Sequence, residues 1–306
     1  MKIYTITLNP AFDVHASTRS LTLGHENLAQ ITSRDAGGKG INIARALTYN
    51  GVENTAIVVL GEDNCADFEK ALVDDKINYI GIRKQGRIRE NLTVHTEDGE
   101  TRISFKGFTL DNSILAEVSS KIIADEDTVV TLTGSVPEGV DMTEIKLFLT
   151  SLKAKGAKIV IDSRSFKLSD LIEVKPWLIK PNSEEISEYL GKTVSDFSDC
   201  MNFAKEMNGE GIENVMISLG DKGAMLVTEN TALIAAPPKI RALSTIGAGD
   251  SAVAGFVAAF SDKKTPEECL RTAVSYGTAA CLFEGTTPPT IENIVHIHQN
   301  TKVKKI

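Results

Sequence analysis

Residues 36–45, Ala36-Gly37-Gly38-Lys39-Gly40-Ile41-Asn42-Ile43-Ala44-Arg45, pass from a run of glycines directly into a helical pattern. Ile41, Ala44, Leu47 and Thr48 fall on one face and Asn50-Gly51 supplies a C-cap, so a helix is predicted over 41–49. Glycines ahead of a helix N-terminus let backbone come close to a ligand and aim free N–H groups at an anion. Lys39 adds a cation, and Asn42 sits in the first turn. Gly-Lys is followed here by Gly, not Ser or Thr, so the stretch is not a Walker A loop. A plain glycine turn entering a helix is the bland alternative.

A second stretch, Thr245-Ile246-Gly247-Ala248-Gly249-Asp250-Ser251-Ala252, opens another helix, over 250–260. It fits the loose G-x-G-x-x-A pattern of dinucleotide-binding folds. That loop normally follows the first strand and leads to another strand, whereas mostly helix follows here. Asp250 would also lie where a pyrophosphate rests, and like charges repel. A different chemistry fits better: N–H groups of Gly247, Ala248 and Gly249 steady a transferring phosphoryl group while Asp250 accepts a proton from an attacking hydroxyl. The structural alternative for Asp250 is an N-cap.

Outward from these turns, short apolar runs alternate with helical patterns. Strands are predicted over 3–8, 56–60, 129–133, 158–161, 177–180, 215–219 and 225–227. Helices are predicted over 41–49, 65–74, 113–124, 143–155, 184–190 and 199–207, then 250–260, 266–283 and 291–298. This order, with near-continuous Val and Ile, predicts an α/β fold whose parallel sheet is covered on both faces and whose functional groups gather at strand carboxyl ends. Two segments break the alternation. Residues 12–34 lack helical periodicity, and 92–105 alternate about Asp98-Gly99, a strong hairpin signal. Together they predict a small accessory sheet, either a bland excursion or a lid.

Composition narrows the classes. With 42% hydrophobic and 24% charged residues, the chain is neither disordered, collagen-like nor coiled coil. The longest apolar run, 252–260, is under half a membrane span. Residues 1–8 read as a strand rather than a signal peptide, so the expected place is cytoplasmic. Lys and Arg number 33 against 41 Asp and Glu, a formal charge of −8 that argues against nucleic-acid and anionic-membrane partners. An anionic substrate would be held by a few local cations. The four cysteines are scattered without C-x-x-C and the five histidines form no H-x-x-x-H, which points to free thiols rather than zinc.

Other groups stand at predicted strand ends. Lys180-Pro181-Asn182-Ser183-Glu184-Glu185 starts a helix, with Asn182 and Glu185 at i, i+3: oxygen ligands for Mg²⁺ through water, or a capping box. Asp13, beyond Asn9-Pro10, is a grip for sugar hydroxyls or a turn residue. Arg89 and Asn91 lead into the hairpin and Arg102 lies on its second arm; arginine suits bidentate phosphate recognition, though a solvated hairpin arginine is equally ordinary. Gly134-Ser135 and Ser218-Leu219-Gly220 each close a strand.

In combination these segments resemble the ribokinase-like, phosphofructokinase-B type sugar kinases. Residues Gly37 to Arg45 resemble their first signature, Thr245 to Asp250 their second, and Asn182 through Glu185 their N-x-x-E element, in order from Ile3 to about Gly285. Within the family, Thr7-Leu8-Asn9-Pro10-Ala11-Phe12-Asp13 and Arg89-Glu90-Asn91 resemble kinases of hexose phosphates: 1-phosphofructokinase, tagatose-6-phosphate kinase and the minor 6-phosphofructokinase. The resemblance implies one ribokinase-like three-layer α/β/α domain over 1–306, with a mostly parallel central sheet and a small β-sheet lid at roughly 12–34 and 88–107. It implies MgATP as donor, with K⁺ a further candidate, and a homodimer through the lid. Asp250 would be the base and Gly247, Ala248 and Gly249 the anion hole. Asp13, Gly38, Lys39 and Asn42 would hold the sugar, and Arg89, with Arg102 and Ser135, its phosphate. Lys180, Asn182, Ser218, Gly220, Gly223 and Thr245 would line the nucleotide, and Glu185 would organise Mg²⁺ through water.

Two departures bear on the sugar phosphate. Phe105-Lys106-Gly107-Phe108 stands where many relatives carry Gly-Pro, and His25-Glu26-Asn27-Leu28 where they carry a basic residue; Lys106 is a candidate to compensate. The expectation is ATP-dependent phosphorylation of tagatose 6-phosphate or fructose 1-phosphate to a bisphosphate. The alternatives are a kinase of an unphosphorylated sugar or nucleoside, a dinucleotide-dependent oxidoreductase using 247–252, and a noncatalytic sugar-phosphate sensor.

Overall fold

The computed structural model describes residues 1–194 and 196–306. Its first part runs β1 (Lys2–Thr7), β2 (Ala11–Ser17), β3 (Gln30–Gly37), α1 (Lys39–Tyr49), β4 (Thr55–Gly61), α2 (Cys65–Asp74) and β5 (Tyr79–Lys84). A hairpin of β6 (Arg89–Thr96) and β7 (Gly99–Ser104) follows. Alternation then resumes with α3 (Ser113–Ser119), β8 (Thr128–Thr133), α4 (Met142–Ala154), β9 (Lys158–Asp162), α5 (Leu168–Val174), β10 (Leu178–Ile179) and α6 (Ser183–Leu190). The rest is α7 (Phe197–Gly209), β11 (Asn214–Ser218), β12 (Ala224–Thr228), β13 (Thr231–Ala236), α8 (Ala248–Ser261), α9 (Pro266–Ala280), α10 (Ile291–Asn300) and β14 (Lys302–Lys305).

Ten strands form the main sheet in the order β14-β13-β12-β11-β10-β9-β8-β1-β4-β5. Every neighbouring pair from β11 to β5 is parallel, and the β11-β12-β13-β14 edge is antiparallel. Because side chains alternate across a strand, successive apolar residues feed opposite layers. Ile3, Val129 and Val160 pack with Ile43, Leu47, Phe256 and Leu270 of α1, α8 and α9. Tyr4, Val130 and Ile159 pack with Ile145, Leu171, Ile186 and Phe203 of α4 to α7. The result is the three-layer α/β/α arrangement. Among the described residues, no helix is long and apolar enough to cross a membrane.

A second sheet, in the order β3-β2-β6-β7, grows from the carboxyl ends of β1 and β5 and returns into α1. Its middle pair, β2 and β6, is parallel. β7 is exposed throughout, and most of β3 is too. The hairpin turns at Glu97-Asp98, with Thr96 opposite Gly99, so the turn lies one residue before the expected Asp98-Gly99 and Gly99 opens β7. Phe12 anchors this sheet to the body: it is 1% exposed, meets Phe68 of α2 edge-on at 5.0 Å, and carries the Arg34 guanidinium 3.4 Å from its ring centre.

Three strands escape the sequence pattern, β5, β13 and β14. β5 and β14 are the two edges of the main sheet, and Arg83, Lys84, Lys302, Lys304 and Lys305 interrupt their alternation. Charges of this kind blunt an edge against further pairing, which also hides it from an apolar count. The last turn expected for α9, to Phe283, is instead tightened: Leu282 and Phe283 donate to the carbonyls three residues back, of Ala279 and Ala280.

Phe12→Ala is expected to cost about 3–5 kcal/mol, since it removes a fully buried ring and the seat of Arg34. A fall in the urea midpoint at constant m-value checks this; a loss within about 0.5 kcal/mol would show that Phe12 is not the anchor.

Candidate active site

α1 and α8 start at the same edge of the sheet because each enters through glycine. The Gly40 Cα lies so close to β1 that a Cβ there would stand 2.4 Å from Thr7 Oγ1 and 2.8 Å from the Ile6 carbonyl. A side chain would lift the helix off the strand. α8 begins at Gly247, which is left-handed at φ 75°. Seated this way, the two helices bring Asn42 to Asp250: Asn42 Nδ2 donates to Asp250 Oδ2 at 2.8 Å. Two turns far apart in the chain therefore share one hydrogen bond.

Around that bond lies a cluster of charges, all buried except the half-buried Lys39. Asp162, the last residue of β9, faces the Lys39 ammonium at 3.1 Å and that of Lys180 at 3.6 Å. Lys180 also packs against the second turn, where a Cβ on Gly249 would stand 3.1 Å from its Nζ. Glycine is thus what lets an ammonium touch the start of α8, whose first-turn N–H groups have no intrahelical acceptor. Burial opposes the charge on Asp162, but Lys180 and Lys39 outweigh it and hold the carboxyl below its usual range. Burial likewise disfavours the Lys39 ammonium, and Asp162 and Asp250 more than reverse this. Asp250 differs. Burial pushes its pKa up to about 6, with Asp162 adding to the effect, against the opposing pull of Lys39, the Asn42 hydrogen bond and Lys180. One acid of the pair is held ionised and the other is poised near neutrality.

At the foot of the small sheet, Asp13 Oδ1 accepts from Asn91 Nδ2 at 3.0 Å and from Arg102 Nη2 at 3.2 Å. Arg89 donates from Nη1 to the Phe105 carbonyl at 2.9 Å and from Nη2 to that of Asn9 at 3.5 Å. Its Nε is buried and, among the described residues, has no acceptor. Burial lowers the Arg89 pKa, Asp13 opposing and Arg102 assisting. Ser135 accepts from Asn9 Nδ2 at 2.9 Å. Lys106 stands exposed and pairs with Glu138 at 3.7 Å.

Beyond β10, Asn182 and Glu185 form a reciprocal capping box at the start of α6, and Asn182 bridges to Ser218 at the end of β11. Both oxygens of Glu185 are engaged, one by Arg164 Nε at 3.2 Å and the other by the Asn182 N–H at 3.2 Å. Among the described residues, no three His, Cys, Asp or Glu gather into a metal cage. A carboxylate so occupied fits a hydrated Mg²⁺ reached through water, the usual mode for a cation held mainly by substrate phosphates. Gly220 and Gly223 flank the turn from β11 to β12, both at positive φ. Thr245 is exposed and its carbonyl accepts from the Ala248 N–H at 3.3 Å. α8 leads directly into α9, not into a strand, which the dinucleotide reading of 247–252 would need.

Asp162 is the residue that motif reading passed over. Its signal was present: an acid placed directly after the apolar run 158–161, at the carboxyl end of a parallel strand. A separate concavity of about 570 Å³, lined by residues including Lys2, Tyr4, Asn54 and Asn78, opens at the amino ends of β1 and β4, away from these groups.

The folded pKa of Asp250, about 6, lies above its ordinary 3.8. The folded state therefore binds more protons than the unfolded state between these values, and this residue's contribution to stability falls as pH rises through that window. Asp250→Asn is expected to stabilise the fold by about 1–3 kcal/mol at pH 7, the gain shrinking as pH drops below 6. Urea unfolding at several pH values checks this; destabilisation at pH 7 would contradict the burial argument.

Residues 10–293 match the pfkB family of carbohydrate kinases. The 1-phosphofructokinase of Vibrio cholerae is 33% identical over 312 residues, covering 100% of this chain and 97% of that one. The 1-phosphofructokinase of Bacillus subtilis is 30% identical, covering 92% and 93%. Among solved structures, phosphofructokinase-2 from Escherichia coli in complex with substrates and products has a TM-score of 0.91 at 26% identity, over 98% of this chain and 99% of that one. The same protein has been solved in complex with potassium and as a tetrameric inhibited form. Matched over most of its length in sequence and in fold, the chain belongs to the pfkB family of carbohydrate kinases.

Proposed function

We propose that this chain transfers the γ-phosphoryl group of ATP to a ketohexose phosphate, producing a bisphosphate, with fructose 1-phosphate or tagatose 6-phosphate as acceptor. The observation that carries the reading is the Asn42–Asp250 hydrogen bond, which sets both glycine turns around a single proton acceptor. A general base works best with a pKa near the operating pH, and burial supplies that at Asp250. The acceptor's hydroxyl oxygen bonds to the γ-phosphorus in line as the bond to the β–γ bridging oxygen breaks. Asp250 takes the hydroxyl proton, and ADP leaves with the electron pair. Gly247 and Gly249 offer N–H groups to the transferring phosphoryl, Ala248 would add its own on leaving the Thr245 carbonyl, and Lys39 and Lys180 stand beside them to neutralise its charge.

Asp13, Gly38, Lys39 and Asn42 hold the sugar in this reading, and Arg89, Arg102 and Ser135 its phosphate. The free Nε of Arg89 supports that role, because a buried donor without a partner is costly until an acceptor arrives. Lys180, Asn182, Ser218, Gly220, Gly223 and Thr245 line the nucleotide. Glu185 would hold Mg²⁺ through water, where the ion would offset the charge of the phosphates. K⁺ is a further candidate, since the E. coli relative was solved with potassium. The 306 residues act as one kinase domain with lid segments at roughly 12–34 and 88–107. Exposed Leu23, Leu28, Ile31 and Phe105 on that lid support a homodimer through it. All four cysteines are free, in keeping with the reducing cytoplasm.

Coupled ADP release tests the reading with fructose 1-phosphate, tagatose 6-phosphate, fructose 6-phosphate and the unphosphorylated sugars. One of the first two is expected to be turned over fastest, and Asp250→Asn to abolish turnover. Arg89→Ala should raise KM for the phosphorylated acceptor roughly 10- to 100-fold, the worth of one or two charge-assisted hydrogen bonds. Equal turnover of an unphosphorylated ketohexose, unaffected by Arg89→Ala, would refute the acceptor assignment.

A further inference from the structure

Arg45 lies one turn beyond Asn42 on α1 and is 4% exposed. Its guanidinium donates from Nε to Asp75 Oδ2 at 2.8 Å, from Nη1 to Asn42 Oδ1 at 3.1 Å, and from Nη2 to the carbonyl of Ala36. Asn42 in turn donates to Asp250. A carboxamide has two unlike ends, an oxygen that only accepts and a nitrogen that only donates. A guanidinium has nothing but donors, so it draws the oxygen to its own side and leaves the nitrogen for Asp250. The reverse orientation would set N–H against N–H at Arg45 and oxygen against oxygen at the carboxylate. Asp75, at the end of α2, and Ala36, at the end of β3, hold the guanidinium in place from two further segments.

We propose that Arg45, braced by Asp75, is a positioning residue for phosphoryl transfer: it locks Asn42 in the one orientation that donates to Asp250. The proposal rests on the reading of Asp250 as the base. The other charged groups facing Asp250 are Lys39 of α1, Asp162 of β9 and Lys180 beyond β10. The two lysines act as point charges on flexible stems, whereas the carboxamide is directional. A free carboxamide could turn its oxygen to accept the O–H of the protonated acid and so favour the form that cannot take a proton. Arg45 forbids that rotation. It touches neither acceptor nor nucleotide in this account, and acts only through Asn42.

Arg45→Lys keeps the charge and loses the fork, and Asp75→Asn releases the brace. The readout is the titration of Asp250 in the folded protein by ¹³C-carboxyl NMR, its resonance assigned with Asp250→Asn. Arg45→Lys is expected to raise the midpoint by roughly half to one pH unit, and Asp75→Asn to raise it less. In an Asn42→Ala background, Arg45→Lys should add nothing. An unchanged midpoint, or the same shift with and without Asn42, would overturn the proposal and leave Arg45 a structural tie; if Arg45→Lys fails to fold, Asp75→Asn decides by the same criterion. The acidic limb of kcat/KM with fructose 1-phosphate should move up in parallel. A protein that titrates as expected but turns over no sugar phosphate would count against the kinase reading and leave the orientation lock standing.

Discussion

The site depends on holding two buried carboxylates beside two ammonium groups, the buried Lys180 and the half-buried Lys39. Lys180 and Lys39 hold Asp162 in its charged form, and Asp162 and Asp250 in turn hold Lys39 in its own. Asp250 is the second acid, which brings the count to two carboxylates against two ammonium groups. It is buried as deeply as Asp162 but, among the described residues, reached by one short side-chain hydrogen bond, so burial makes its charge expensive and raises its pKa to about 6. A buried charge with imperfect compensation weakens a fold, and the rest of the architecture serves to hold this one where it is. α1 and α8, rigid and packed on the sheet, deliver the groups that tune it.

Net charge sharpens the point. With a formal charge of −8, the chain repels anions at long range, and a nucleotide and a sugar phosphate are both anions. Attraction must come from fixed local donors. The lysines at the ends of β10 and α1, the arginines at the foot of the small sheet and the backbone of two helix starts provide it within a small region. In the proposed reading, specificity rests on where the second phosphate of an acceptor meets Arg89 and its neighbours, not on a general field.

Much of this was legible before any coordinates. The βα alternation, the hairpin (its turn one residue earlier than Asp98-Gly99) and both glycine turns rest on local signals: periodicity, positive φ and helix entry. Asp250, Asn42 and Asn182 could be named because they sit at fixed offsets from those turns. Pairing across the fold was not legible. Nothing local to Asp162 says that Lys39 and Lys180 converge on it, and nothing near Arg45 says that Asp75 meets it. The capping reading and the metal reading of Asn182 and Glu185 looked like rivals from spacing alone; the structure shows the cap is made. The edge strands β5 and β14 were hidden because the charges that protect an edge erase its apolar signature.

β10 has only two residues although it lies in the middle of the sheet, between β9 and β11. Ile179 pairs with Ile161 and Val215, and the ladder resumes only as an isolated bridge between Asn182 and Ser218. Pro181 explains the gap, because it has no N–H to donate and is normally excluded from central strands. The interruption leaves a notch in the sheet's rim, flanked by the longer strands that end in Asp162 and Ser218. A proline in the interior of the sheet thus gives up a rung of the ladder right beside the lysine whose ammonium meets Asp162.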